Sequence, residues 1–391
     1  MNNSQTWMEV NLDNLNSNLN AIRNKVGSTK VAAVVKANAY GLGAVEVSKF
    51  LEKKGIDYFC VANFNEAMEL RENGIKKPIL VMGYVPENLY EESIENGLEL
   101  TLFDCSKARK LNEIASELNL VAKIHIKIDT GMSRLGYVYS EKNEKDIIDE
   151  IKRIYFMSNI NIKGIYSHFS SADEFDKSFT KMQYEKFTTL LMSLNREGVD
   201  IEISHISNDA GTLYYGYFLD MIRTGICLYG YYPSKVIKSL EPIKLKQVAT
   251  IISTVTNVKF IDEKTAVSYN REFVSSKKMN LATICMGYAD GYPMSLSNKG
   301  YVMINGKKAN IVGKICMDQF MADISHIDNV KIGDKVLIFG ERGMDFLDLE
   351  ELAYKGDKIV YDIICGTNMR VPRFYIEDGK VIKQINYIRN K

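Results

Sequence analysis

What the chain lacks narrows the field first. No apolar run approaches the roughly 20 residues that a membrane-spanning helix requires. The N-terminus has no basic segment followed by an apolar one, so no signal peptide is expected. Neither sign of charge is in excess: 50 basic residues face 49 acidic ones, and nothing invites nucleic acid or an anionic membrane as a partner. The six cysteines (Cys60, Cys105, Cys227, Cys285, Cys316, Cys365) form no close pair and no metal-ligand spacing. Most lie among apolar neighbours, as in Tyr58-Phe59-Cys60-Val61, and read as reduced core thiols. These absences leave a globular protein of ordinary hydrophobicity, expected in the cytoplasm and binding no metal. Its length suits two domains, or one barrel with an appendage.

The stretch Lys30 to Gly43, KVAAVVKANAYGLG, is the most informative. Val31 to Val35 reads as a buried strand that stops at Lys36, followed by a loop that leads into a helix. An ammonium at the end of a buried strand is expensive without a partner, and a lysine so placed loses its proton readily. That suits it to form a Schiff base with an aldehyde. Taken alone, it reads more readily as a lysine that snorkels to water.

From Lys30 a rhythm sets in. Candidate strands are Val31–Val35, Tyr58–Ala62, Pro78–Met82, Leu98–Phe103, Ala122–Ile128, Ile162–His168, Glu202–Ile206 and Met221–Tyr229. Amphipathic segments such as Ala44–Lys54, Ser106–Leu118 and Phe179–Arg196 separate most of them, several ending near a glycine. Eight short strands alternating with helices predict a (β/α)8 barrel of the TIM type rather than an open doubly wound sheet. After Tyr232-Pro233 short β-branched runs and turn signals such as Asn305-Gly306 predict a mostly β domain with one short helix near Leu347–Tyr354. The expected division is a barrel over residues 10–235 and a β domain over 236–391, with a strand within residues 1–9 packed on the latter.

In such barrels catalytic groups sit at the C-terminal ends of strands. That rule gathers Lys36 from the first strand, Lys127 and Asp129 from the fifth, His168 from the sixth, His205 from the seventh and Arg223 from the eighth. Arg134 follows the fifth. Each alone has a structural explanation; together they are hard to explain as packing.

These residues fall within four stretches: Val34 to Gly43, His125 to Gly136 (HIKIDTGMSRLG), Gly287 to Tyr292 (GYADGY) and Ile315 to Gln319 (ICMDQ). In this order and spacing the chain resembles the alanine racemase family, over nearly its whole length. The resemblance implies a pyridoxal 5′-phosphate (PLP) enzyme that interconverts L- and D-alanine for peptidoglycan, working as a head-to-tail homodimer with shared active sites. Lys36 is then the lysine bonded to PLP, Tyr40 and Tyr361 lie near its phosphate, and the amides of Gly225 and Ile226 cradle that phosphate. Arg223 faces the pyridine nitrogen. A permanent cation there cannot accept a pyridine N–H, so the ring stays a weak electron sink, which fits proton exchange without side reactions.

The resemblance further places Tyr288 as the second base, entering the other subunit's barrel. His168 is expected to bond that tyrosine, and His205 to support Arg223. A carbamylated Lys127 is expected to hold Arg134 toward the substrate, with Met317 and Asp318 near the substrate carboxylate and Asp173 at the entrance. Two positions depart from the family pattern. Asn208-Asp209 stands where a serine hydroxyl usually meets the phosphate, and a carboxylate there is repulsive. Leu42 replaces a common histidine. Other substrates (serine, lysine or ornithine), a decarboxylase, or a non-catalytic PLP-binding protein remain alternatives. Arg223 and the second domain with Tyr288 argue against the last two.

Overall fold

The computed structural model describes residues 4–240 and 242–389, so the ends of the expected ranges 1–9 and 236–391 fall partly outside the described residues. The chain forms two compact units. One comprises residues 16–39 and 44–245; the other takes the chain through Leu15, Tyr40–Gly43 and the part from Lys246 onward.

The first unit is a nearly closed parallel barrel. Its strands are Lys30–Val34, Tyr58–Val61, Ile79–Val81, Glu99–Leu102, Ala122–Asp129, Ile160–Tyr166, Ile203–His205 and Met221–Thr224. The first seven pair in order, each parallel to the next, and the eighth pairs back on the first, Met221 opposite Lys30. Between the seventh and eighth, the link is made by the Asp220 and Arg223 amides, which donate to the carbonyls of Ser204 (3.1 Å) and Ser207 (3.0 Å). The strands are buried on both faces, which is why they read as continuous apolar runs. Helices such as Cys105–Glu117 and Glu144–Tyr155 cover the outside. Asp104 caps the first of these by accepting from the amides of Ser106 and Lys107. The second buries Ile147, Ile148, Ile151 and Ile154, spaced for one helical face.

The eighth strand differs from the expected Met221–Tyr229. It ends at Thr224, and residues 225–230 coil through successive turns, Leu228 donating to Gly225 and Tyr229 to Ile226. That stretch is apolar because it is buried, not because it is extended.

The second unit is built on one ten-stranded, mostly antiparallel sheet. Trp7–Asn11 is a central strand of it, antiparallel to Ala249–Ile261 and parallel to Arg373–Glu377. Asn305 and Gly306, both at positive φ, turn the hairpin between Tyr301–Ile304 and Lys307–Val312. The expected short helix lies at Leu349–Lys355, and a second follows at Val360–Gly366. The second has the sequence VYDIICG, whose β-branched run hides its helical state.

Candidate active site

Lys36 sits just past the first barrel strand, partly buried, and among the described residues nothing accepts a hydrogen bond from its Nζ or pairs with it. The backbone then makes an uncommon turn. Ala37, Asn38, Ala39 and Tyr40 all take left-handed φ values of 50 to 55°. Left-handed helix costs an L-residue roughly 1–2 kcal/mol, so neighbours must hold it. Glu66 does so, its carboxylate accepting from the amides of Ala37 and Ala62, both at 2.7 Å. The Asn38 side chain accepts from the Ala44 amide at 2.7 Å. Neither Glu66 nor Asn38 stood out in the sequence.

Arg223, 3% exposed, occupies the end of the eighth strand. Its Nη1 donates to Nδ1 of His205 at 2.7 Å. Its Nη2 donates to the carbonyls of Ser167 (2.9 Å) and Ile206 (3.1 Å) and to Nδ1 of His168 (3.0 Å). Among the described residues Nε has no acceptor. A guanidinium only donates, so both imidazoles must accept at Nδ1, which places the proton of each neutral ring on Nε2. Burial, and then the Arg223 charge, hold the pKa of both histidines well below the usual range.

Tyr166, absent from the expected site, organises this cluster. Its ring stacks on His205 at 4.7 Å and 4°, and lies 5.2 Å from the Arg223 guanidinium and 4.8 Å from Nζ of Lys127. Such cation–ring contacts favour charges that burial would otherwise penalise. Lys127, 6% exposed, donates to the Ile128 carbonyl at 3.1 Å. Burial, and then Arg223, push its pKa well below that of an ordinary lysine, while Asp129 opposes the shift. The Asp129 carboxylate turns away, taking the amides of Gly131, Met132 and Ser133. Arg134 is exposed just beyond.

Asp209 is buried, accepting from the Thr224 hydroxyl at 2.6 Å and from the Gly225 amide at 3.0 Å. It therefore takes one of the two amides expected to cradle the phosphate. Burial raises its pKa. The Asn208 side chain instead caps the short helical turn at Gly211–Tyr215, accepting from the Gly211 amide at 2.9 Å. The Ile226 backbone is buried in the following turn. The Asp173 carbonyl accepts from the Ser234 hydroxyl.

The remaining expected residues lie in the second unit. Tyr40 packs its ring 6.0 Å from that of Tyr361. Gly41 follows at φ +88°, where an added Cβ would come within 2.4 Å of the Ile364 carbonyl oxygen. The Gly41 carbonyl accepts from Nε (3.0 Å) and Nη2 (2.8 Å) of the buried Arg373. Tyr288, Met317 and Asp318 form one exposed cluster. The amides of Tyr288 and Ala289 donate to the carbonyls of Cys316 and Met317 at 3.1 and 3.0 Å, joining the GYADGY and ICMDQ loops. Gly287 has no alternative there, since a Cβ would come within 2.1 Å of the Met317 carbonyl oxygen. Arg370 ties the two loops together, 2.8 Å from Asp318 and 3.4 Å from Asp290. The sequence carried no signal for Arg370 or Arg373, because their partners lie far away along the chain.

Comparison with known proteins decides the family. Residues 10–233 match the alanine racemase N-terminal domain, and residues 248–375 match its C-terminal domain. The chain belongs to the alanine racemase family. An alanine racemase of Clostridium tetani is 41% identical over 98% of both chains. The solved alanine racemase of Clostridium difficile superposes with a TM-score of 0.94 at 37% identity, covering 99% of this chain and 100% of that one. The Bartonella henselae alanine racemase, solved with covalently bound pyridoxal phosphate, reaches a TM-score of 0.82 at 29% identity, over 95% of this chain and 100% of that one. Among the described residues no helix is long and apolar enough to cross a membrane.

Proposed function

We propose that this chain racemises alanine with pyridoxal 5′-phosphate, using Lys36 and the partner subunit's Tyr288 as bases on opposite faces of the substrate Cα. Lys36 carries the reading: an amine at a strand end that has no partner among the described residues, whose charge acts on His168, the histidine that Arg223 contacts. The donor set fits the cofactor. Lys36 would hold its aldehyde carbon, Nε of Arg223 its pyridine nitrogen, and the amides at Gly225 and Ile226 with the hydroxyls of Tyr40 and Tyr361 its phosphate. Asp209 is the one discordant group, and must release the Gly225 amide or carry a proton.

Bound through the substrate amine, pyridoxal phosphate would supply the electron sink that acidifies the Cα–H bond. Lys36 Nζ then removes a proton from one face while the Tyr288 phenol delivers one to the other, with the roles exchanged in the reverse direction. His168 carries its proton on Nε2, so it can donate to the phenol oxygen and stabilise the phenolate. That bond lowers the basicity gap a tyrosine with a pKa of about 10 must otherwise overcome. Tyr288 and Met317 are 44% and 52% exposed, as groups awaiting a second copy would be. With Asp318, they would meet the substrate carboxylate of the partner's site, while Arg134 approaches it from the barrel and Asp173 stands at the entrance. Tyr361 limits the space to a small side chain.

Lys127 suits carbamylation, because a lysine whose pKa is held down presents the neutral amine that captures CO2. The product would set an anion where the charges of Arg223 and Arg134 both act, and both would favour it. A mass increase at Lys127 that acid removes would support it. On this reading the enzyme works in the cytoplasm and supplies D-alanine for peptidoglycan. A kinetic panel of L-amino acids with PLP-loaded protein tests the reading: the highest kcat/KM is expected for alanine. A higher value for serine or lysine would overturn the substrate, and absence of racemisation the function.

A further inference from the structure

Beyond His205, the chain of contacts behind Arg223 continues into the barrel interior. Nε2 of His205 lies 3.0 Å from Nδ1 of His125, and Nε2 of His125 lies 2.8 Å from a carboxylate oxygen of Glu99. His125 and His205 are fully buried, and Glu99 is 2% exposed. These residues come from the fourth, fifth and seventh strands, with Arg223 on the eighth. The hydrogen-bond roles follow from the ends inward. Arg223 can only donate, so His205 accepts at Nδ1 and donates from Nε2. His125 must then accept at Nδ1 and donate from Nε2, and Glu99 accepts. Every position has one permitted role.

We infer that Glu99 and His125 are positioning residues for Arg223, holding His205 in the one tautomer that can accept from the guanidinium. Glu99 balances the buried guanidinium charge at a distance, through two neutral rings. His205 alone would not suffice, since an imidazole with an unsatisfied Nε2 can exchange tautomers and present Nδ1–H to a donor. The arrangement resembles the outer-shell carboxylates that fix the tautomer of metal-bound histidines. It rests on the proposed function only in one respect, that Arg223 faces the pyridine nitrogen.

The test begins with the wild-type holoenzyme, labelled at histidine nitrogen and observed by NMR. Both His125 and His205 are expected as neutral rings with the proton on Nε2. A proton on Nδ1 of either, or a doubly protonated ring, overturns the inference. Glu99→Gln retains an accepting oxygen and is expected to keep both tautomers, with kcat within about threefold of wild type. Glu99→Leu removes the acceptor: the nitrogen shifts should move, the PLP absorption band should shift, and kcat should fall about 10-fold with KM nearly unchanged, the scale of other outer-shell effects. A folded Glu99→Leu protein with wild-type shifts and kcat overturns the inference. Should that variant not fold, the wild-type tautomers still decide. Protein that racemises nothing would sink the function and leave the tautomer result standing.

Discussion

In the barrel unit, both terminal nitrogens of Arg223 have protein partners, and the groups around it are largely buried. In the second unit, Tyr288 and Met317 stand 44% and 52% exposed, on loops whose backbones are nevertheless pinned by mutual hydrogen bonds and by Arg370. The first region is finished within its own unit. The second holds its side chains ready without covering them. Rigid backbone beneath exposed side chains is the expected form of a surface that acts on something outside its own unit. On the proposed mechanism, tuning of the cofactor by Arg223 and proton delivery by Tyr288 would have separate structural origins and should fail separately.

The largest expected effect comes from removing the two proposed bases. Lys36→Ala should lower racemisation by about 10⁴-fold or more, and Tyr288→Phe by about 10²- to 10³-fold. Mixed dimers carrying one of each variant should regain part of the activity, since one of their two sites would combine intact groups. Mixed dimers as inactive as either parent would break the comparison. Next comes Arg370→Ala, expected to reduce kcat about 10-fold while leaving the PLP absorption spectrum unchanged. A changed spectrum would show that the two regions are not separable.

Asp209→Ser should act only on the cofactor side. If Asp209 lies beside the phosphate as proposed, removing its carboxylate should tighten PLP binding several-fold, measured by titrating apoprotein, with a gain that grows as pH rises. Weaker binding would mean that the Asp209 contact with the Gly225 amide assists the cradle. The smallest effect is on stability. His168 and His205 have folded pKa values held below those of the unfolded chain, so the unfolded state binds more protons on acidification. Their contribution is intact above roughly pH 6.5 and declines as pH falls below it. Tm measured from pH 7 to 5 should therefore fall less steeply in His168→Asn than in the wild type; an unchanged slope would sink this account.

The barrel was legible because its strands are short, apolar and separated by amphipathic helices. Lys36 and Arg223 were legible because charge at the end of an apolar strand is conspicuous. Glu99 and His125 were not. Each is one polar residue in a strand, and their meeting depends on strands four, five and seven converging inside the barrel. Tyr166 was hidden for a different reason, since an aromatic in a buried strand looks like packing. The helix Val360–Gly366 was missed because local β propensity points the other way, and tertiary packing overrides it. Arg370 and Arg373 carry no local pattern, since what they hold comes from distant parts of the sequence.

The left-handed turn after Lys36 has a consequence for how this protein can be divided. The lysine belongs to the barrel unit, yet four residues later the chain lies in the other unit, where Arg373 grips the Gly41 carbonyl and the Tyr375 hydroxyl bonds to that of Leu42 at 2.9 Å. A cut between residues 232 and 245 would thus not release a self-sufficient barrel. It would leave the strained turn without the groups that hold its far end, and the lysine on a loosened tether. The chain thus passes from one unit to the other and back within eight residues of the amine.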